Sequence, residues 1–488
     1  MVTVTHYGNS VTVIPWDSRL TEACTNKRHT TQTQCRTVNG KRKFQRVHVV
    51  EHDRLYRVQG QTGFIWPGLF EDVCSELHKI YPAHALALVD LRKPLPEVNT
   101  DVFDVKYLDG QIECLDSVFT NQGGIVDASV GFGKTFLIGQ ICKAYPQLNI
   151  LIVIPGIDLL SKVYAYVKTC ANATICNGSH SFDHRTKVCV ISKDSLHKVP
   201  LNWADLLLFD ECHEAAAPRA SEAMLKFNCR KFGFSGTHDG RSDKATKLLV
   251  AIFGPVRYER TFTQAVEAGN VVPLNVKIVP VHGVEVLTKP NGKPFFGLTA
   301  DTEWEQWNIW RNPTRNGKIA MVSRMLQTRS ADKILIMTNR LEHSLCLHAL
   351  LPQFELVHGP VSPERDRELT NAGLMLPQHN RKPNTDKMLT RFQAGELRYV
   401  IATWKWKQGV DVPDLRHIIR ADASPSEIPC TQIGGRAVRL ADGKDSATLW
   451  DFSDQFGERM ERRAKKRFSV YRKAGFKVAE TSEFEETK

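Results

Sequence analysis

From residue 123 to residue 453 the chain alternates short runs of β-branched residues or leucines, polar or glycine-containing breaks, and stretches of helical periodicity. The first series reads GGIVDAS, NILIVIP, KVCVIS, ADLLLFDE and KFGFSGT; the second reads DKILIMTN, FELVHG, LRYVIAT, LRHIIRA and ATLWDFS. Runs this apolar belong to strands covered on both faces, and strands that alternate with helices build a parallel sheet. Two series predict two α/β units. In open sheets of this kind ligands bind beyond the carboxyl ends of the strands, and polar residues follow the runs in both series. The pattern therefore predicts a site in the cleft between the units.

The break after the first run is DASVGFGKTF, residues 127–136. Ala128, Ser129, Val130, Gly131, Phe132, Gly133, Lys134 and Thr135 fit a phosphate loop, with Ala128 in the first small position. Gly131 and Gly133 allow a tight turn whose N–H groups converge on one anion, and the following helix adds the positive end of its dipole. Lys134 would then reach the β and γ phosphates of ATP, and Thr135 would hold Mg²⁺.

In LLLFDECHEA, residues 206–215, four apolar residues lead into Asp210 and Glu211, so two carboxylates stand at the edge of a buried strand. Asp210 suits Mg²⁺, directly or through water, and Glu211 suits a base that orients and deprotonates an attacking water.

A chain of 488 residues exceeds one core. With 42% apolar and 24% charged residues its composition is that of a globular protein. No apolar run approaches the ~20 residues of a membrane span. The N-terminus lacks a basic start followed by an apolar block, and the twelve cysteines include no C-x-x-C pair. The expected setting is reduced and cytoplasmic. The net charge of +12 favours a polyanionic partner. The charge gathers at the ends: residues 1–60 hold ten Lys or Arg against four Asp or Glu, and residues 459–477 hold nine against one.

Taken in order, the phosphate loop, DECH, SGT at 235–237, ATWKWKQGVDVPDL at 402–415 and QIGGRAVR at 432–439 resemble the motif set of superfamily 2 helicases of the DEAD/DEAH type. Residues 253–274, FGPVRYERTFTQAVEAGNVVPL, resemble the segment joining the motor domains of UvsW-type phage helicases and their XPB relatives, and RRAKKRFSVYRKAGFKV resembles their C-terminal end. The resemblance covers roughly residues 104–477. It implies two tandem RecA-like domains at 101–270 and 271–455, a small N-terminal accessory domain at 1–100, and a basic tail at 456–488. It also implies a monomeric ATP-dependent DNA motor that remodels forks and branched recombination intermediates. An RNA helicase, the motor subunit of a restriction complex, and a nucleotide-gated binding protein remain as alternatives.

The resemblance further implies that Gln111 contacts adenine and that His213, Ser235 and Thr237 couple nucleotide state to the nucleic-acid path. Gly409 and Asp411 would line the nucleotide. Gln432, Arg436 and Arg439, at i, i+4 and i+7, would share one helix face, with Arg436 as the arginine finger. Backbone contacts to nucleic acid would come from Pro155, Gly156, Ser192, Lys193, Asn339, Arg340 and Thr403. Outside the motor, CRTVNGKRKFQRVHVV at 35–50 reads as a tight hairpin whose second strand carries Lys41, Arg42, Lys43 and Arg46, suited to a duplex backbone. Residues 361–384 read as an exposed loop inserted into the second motor domain, with Arg365, Arg367, Arg381 and Lys382 near the strand being separated.

Overall fold

A computed structural model describes residues 1–38, 41–236, 246–282, 300–407, 412–426, 430 and 433–481. The chain divides into two compact units, Met1–Thr261 and Phe262–Lys488. Among the described residues the strands form four sheets.

In the first unit, β1 (Val2–His6), β2 (Val11–Ile14), β5 (Tyr56–Gln59), β6 (Thr62–Ile65) and β7 (Leu86–Asp90) make a mixed sheet in the order β5-β6-β2-β1-β7. β3 (Thr25–Val38) and β4 (Lys41–Arg54) pair only with each other, from Thr25 opposite Arg54 to Val38 opposite Lys41. A seven-stranded sheet follows: β8 (Gly124–Ala128), β9 (Ile150–Ile154), β10 (Ala173–Cys176), β11 (Val188–Ser192), β12 (Leu206–Asp210), β13 (Arg230–Ser235) and β14 (Val256–Arg260). Its order is β10-β11-β9-β12-β13-β8-β14, and every pairing is parallel.

The small N-terminal sheet shares its core with this larger one: Val4, Val13, Leu69 and Leu77 fall in one buried cluster with Leu151, Leu207, Phe209 and Leu249. Lys231, buried on β13, donates Nζ–H to the carbonyls of Gly8, Phe227 and Cys229 at 3.3, 2.8 and 3.3 Å. Three acceptors satisfy an ammonium that burial pulls to a lower pKa.

The second unit repeats the parallel design with β15 (Leu274–Val281), β16 (Ile334–Thr338), β17 (Glu355–Val357), β18 (Tyr399–Thr403), β19 (His417–Arg420), β20 (Ala447–Asp454) and β21 (Lys477–Glu480). The order is β17-β18-β16-β19-β20-β15-β21, all parallel. Both sheets are those of tandem RecA-like domains. The last part of the chain, expected as a basic tail, contains the helix Glu458–Lys473 and the edge strand β21. Met460, Ala464, Phe468 and Tyr471 give that helix a buried face.

Arg467 of the same helix enters a buried ionic network. Its Nε donates to Asp451 at 2.9 Å, its Nη2 lies 3.5 Å from Asp454, and Arg315 Nε donates to Asp454 at 2.8 Å. Tyr471 donates to Asp451 at 2.6 Å and accepts from Arg420 at 2.7 Å, while Arg420 also binds Asp422. All three arginines are 0% exposed. Burial alone would raise the Asp451 pKa, but Arg467 and Arg420 hold it below the usual carboxylate range. Removing one member of such a network strands a buried charge. Arg467→Ala should therefore lower the stability of the second unit by about 3–5 kcal/mol, read as an earlier urea transition of that unit while nucleotide binding persists.

The segment 361–384 departs from the expected exposed loop. Pro363–Asn371 is a helix capped by Ser362, whose Oγ accepts from Arg365 N–H, and Leu369 and Met375 are buried against Leu345. Serine followed by proline at the first helical position is a helix-start signal, and the two apolar residues supply a small core. Arg381 is tied to Asp366 at 3.1 Å.

Candidate functional site

Because the strands of the first sheet are parallel, β8, β9, β11, β12 and β13 end at one edge. There the sequence supplies the phosphate loop, Pro155–Gly156, Ser192–Lys193, Asp210–Glu211 and Ser235. Gly131 and Gly133 have φ of 89° and 84°, a left-handed backbone that glycine adopts without penalty. A Cβ on Gly133 would also fall 2.7 Å from Gln111 Nε2. Gln111 is buried, accepts from Leu108 N–H at 2.8 Å and donates to Phe132 O at 2.7 Å, so it braces the loop from outside. Lys134 Nζ donates to Ala128 O at 2.9 Å. Gly236 packs against the same carbonyl: a Cβ there would stand 2.8 Å from Ala128 O and 3.5 Å from Lys134 Nζ.

Asp210 ends β12 and is buried; burial, then the charge of Glu211, raises its pKa, with Lys134 opposing. Glu211 sits at φ 53°, an unusual conformation for a residue with a side chain, and its N–H donates to Asp210 Oδ1 at 3.1 Å. His213, 1% exposed, places Nδ1 3.1 Å from Ser235 Oγ and 3.3 Å from Glu211 Oε2. Glu214, missed in the sequence reading, accepts from Lys193 Nζ at 2.8 Å and lies 3.9 Å from His213 Nε2. Ser192 is buried and donates to Ser195 Oγ at 3.0 Å. One run of contacts thus connects Glu211 through His213 and Glu214 with Lys193, the lysine after β11.

The chemistry of these donors fits a Mg²⁺-bound nucleotide. The loop has the backbone of an anion cradle, and Ser129 Oγ within it is buried with no hydrogen-bond partner among the described residues. Asp210 is a buried carboxylate whose charged form a divalent cation would stabilise.

In the second unit Asn339 and Arg340 follow β16 and Thr403 ends β18, and the three line one cavity of about 600 Å³ with His358, Ser362 and Arg365. Sequence reasoning missed Glu342, which is 1% exposed and accepts from Gln306 at 2.8 Å, from Arg365 at 3.0 Å and from Arg311. Arg436 and Arg439 do not share a helix: the helical residues stop at Gly434, Arg436 is buried in the following turn, and Arg439 is exposed. The Gly434–Gly435 pair accounts for the break, since glycine is the residue least suited to a helix interior after proline. Thr237, Gly409, Asp411 and Gln432 lie outside the described residues.

Comparison with known proteins agrees with this arrangement. Residues 104–240 match the family described as the res subunit of type III restriction enzymes, and residues 317–441 match the helicase conserved C-terminal domain, together more than half of the chain. The chain belongs to the superfamily 2 helicases and is an ATP-dependent hydrolase of that class, acting on nucleic acid. It is 25% identical over 366 residues to the ATP-dependent DNA helicase uvsW of Enterobacteria phage T4, covering 70% of this chain and 68% of that one. In fold it is similar to the DNA-bound type ISP restriction-modification enzyme LlaBIII (TM-score 0.51, 13% identity), covering 85% of this chain and 34% of that one. It is likewise similar to S. cerevisiae Dbp5 bound to RNA and ADP BeF3 (TM-score 0.50, 12% identity), covering 77% and 89%.

The crowding at Gly133 gives a direct check. Gly133→Ala should cost roughly 1–2 kcal/mol through its positive φ and push Gln111 away from Phe132, abolishing nucleotide binding in an equilibrium titration. Wild-type affinity in that variant would show that the loop does not need this backbone.

Proposed function

We propose that this protein is an ATP-dependent DNA helicase or translocase, working as a monomer in the cytoplasm, that remodels forks and branched recombination intermediates. The observation that supports the motor reading is the linkage Glu211–His213–Ser235 and Glu214–Lys193, which joins the carboxylate after β12 to the lysine after β11. Similarity to a phage DNA helicase over 70% of the chain favours DNA over RNA.

In this reading the loop amides and Lys134 hold the β and γ phosphates, and Thr135 and Asp210 hold Mg²⁺, which when bound neutralises phosphate charge. Glu211 orients the attacking water and takes its proton. Arg436 stabilises the charge that develops on the γ phosphate, with Arg439 and Gln432 beside it, and Gly409 and Asp411 line the nucleotide. Gln111, already joined to the loop at Phe132, lets an adenine contact reach the phosphates through one side chain. His213, Ser235 and Thr237 transmit the nucleotide state. Pro155, Gly156, Ser192, Lys193, Asn339, Arg340 and Thr403 face the strand backbone, which gives sequence-independent grip.

The β3–β4 ribbon supports a branched-DNA substrate. Strands of fourteen residues extend ~45 Å, longer than the ~34 Å of one duplex turn. The chain along the second strand carries Lys41, Arg42, Lys43 and Arg46, a composition suited to phosphates.

ATPase rates measured side by side with single-stranded DNA, duplex, a four-way junction and RNA, together with strand displacement, test the whole reading. Stimulation by DNA with junction unwinding is expected; stimulation by RNA alone, or ATPase without displacement, would overturn it. Lys134→Ala should weaken both nucleotide binding and hydrolysis, whereas Glu211→Gln should bind normally and lose turnover by orders of magnitude. Arg436→Ala should leave nucleotide affinity nearly intact and slow DNA-stimulated hydrolysis about 10³-fold.

A further inference from the structure

The positive charge near the end of the chain is used by neither of the strand-end sites, and the fold sorts it into two groups. The helix Glu458–Lys473 carries eight Arg and Lys. Those nearer the protein are matched: Arg459 pairs with Asp301 at 3.1 Å, Arg463 with Glu305 at 2.6 Å, and Arg467 is sealed against Asp451 and Asp454. Arg462, Lys465, Lys466, Arg472 and Lys473 are exposed. At 3.6 residues per turn they fall, with Ser469, on the side opposite Met460, Ala464, Phe468 and Tyr471. Among the described residues no carboxylate lies within ion-pair distance of Arg462, Lys465, Lys466 or Arg472.

A solvated helix face ordinarily mixes the two signs, because opposite charges three or four residues apart attract and like charges repel. This face does not: Arg462 stands three and four residues before Lys465 and Lys466, and after Glu461 the helix contains no acidic residue. Arg472 and Lys473 occupy the last turn, where cations offset the negative end of the helix dipole. Arg462, Lys465 and Lys466 lie too far from that end to gain from it, so nothing within the fold compensates their mutual repulsion.

The composition of the face selects its partner. It offers cations and one hydroxyl, while the aromatic rings of Phe468 and Tyr471 are turned into the core. Single strands are held by bases stacked on aromatic side chains as well as by charge, whereas a duplex presents its phosphates outward and requires charge alone. The helix follows β20, so it begins near the strand ends that carry Asn339, Arg340 and Thr403, and it runs back across the sheet to β21. Its sixteen residues give a straight element of ~24 Å leading away from that edge.

We propose that the exposed side of this helix is a second nucleic-acid site, which holds the phosphate backbone of duplex DNA through Arg462, Lys465 and Lys466, with Arg472 extending it. The choice of DNA rests on the function proposed above; the surface itself uses none of the residues at the strand ends. A duplex arm bound here stays attached while the contacts at the edge release and rebind.

In titrations of the full chain, the triple variant Arg462→Gln, Lys465→Gln, Lys466→Gln should bind a blunt DNA duplex of about three turns at least tenfold more weakly at about 0.1 M salt. The slope of log affinity against log salt should fall by roughly two to three. Affinity for oligo(dT) should be unchanged. The charge-keeping triple Arg462→Lys, Lys465→Arg, Lys466→Arg should bind the duplex as the wild type does, which separates a need for charge from a need for particular side chains. Unchanged duplex binding by the glutamine variant overturns the site and leaves a solvated face. Equal weakening on oligo(dT) overturns the assignment to a duplex, and weakening on an RNA duplex alone overturns the assignment to DNA. ATPase activity that DNA fails to stimulate would sink the proposed function, yet the change of slope on duplex would still mark this surface. Should an earlier urea transition show that the triple variant unfolds, Lys465→Gln and Lys466→Gln decide singly: each lowers the duplex slope by about one, and no change in either overturns the site.

Discussion

Parallel pairing is the constraint on which the rest of this protein depends. A strand that re-enters a sheet in the same direction must be returned by a crossover, and every crossover then begins at the same edge. In the first unit this brings the phosphate loop, Asp210–Glu211 and Ser235 to one line of strand ends, although up to a hundred residues separate them in sequence. The second unit does the same with Asn339, His358 and Thr403. The chemistry at each edge therefore follows from topology, and the loops need only choose residue types.

The two units secure that geometry by different means. The first relies on apolar packing continuous with the N-terminal sheet and on buried polar groups satisfied by carbonyls, as at Lys231. The second places Arg315, Arg420 and Arg467 against Asp422, Asp451 and Asp454 in a fully buried network. Charges in such a place are stable only in one arrangement, because any slip leaves a desolvated ion without its partner. Arg420 also binds Cys430, which precedes the segment ending at Arg436, so the network fixes the start of the stretch that carries the proposed finger.

Much of this was legible in the sequence. The phosphate loop and DECH could be read because their chemistry depends on glycine, lysine and carboxylate at fixed offsets from an apolar run, and strand ends mark themselves where that run stops. What escaped was set by tertiary context. Nothing in RRAKKRF distinguishes Arg467, sealed against two aspartates, from exposed neighbours of the same type, although the spacing of Met460, Ala464, Phe468 and Tyr471 announces a packed helix. The helix at 363–371 lies in a stretch whose prolines, asparagines and charged residues favour a loop, while its Ser-Pro start is a capping signal. The i, i+4, i+7 spacing of Gln432, Arg436 and Arg439 suggested a helix face, and the intervening glycine pair ended the helix first. Glu342 carries no motif; only the folded cavity relates it to Arg340.

The position of β15 has a consequence for synthesis. It is the first strand of its sheet to leave the ribosome, yet both its neighbours, β20 and β21, come from the far end of the unit. Ala447 lies 173 residues after Leu274, an interval of roughly 10–35 s at ordinary elongation rates. Throughout that time β15 is an apolar strand with both hydrogen-bonding edges open, the state most prone to pair with another chain. The second unit is thus exposed to its greatest risk of misassembly while it is being made, before the cavity at its strand ends or its ionic network can exist.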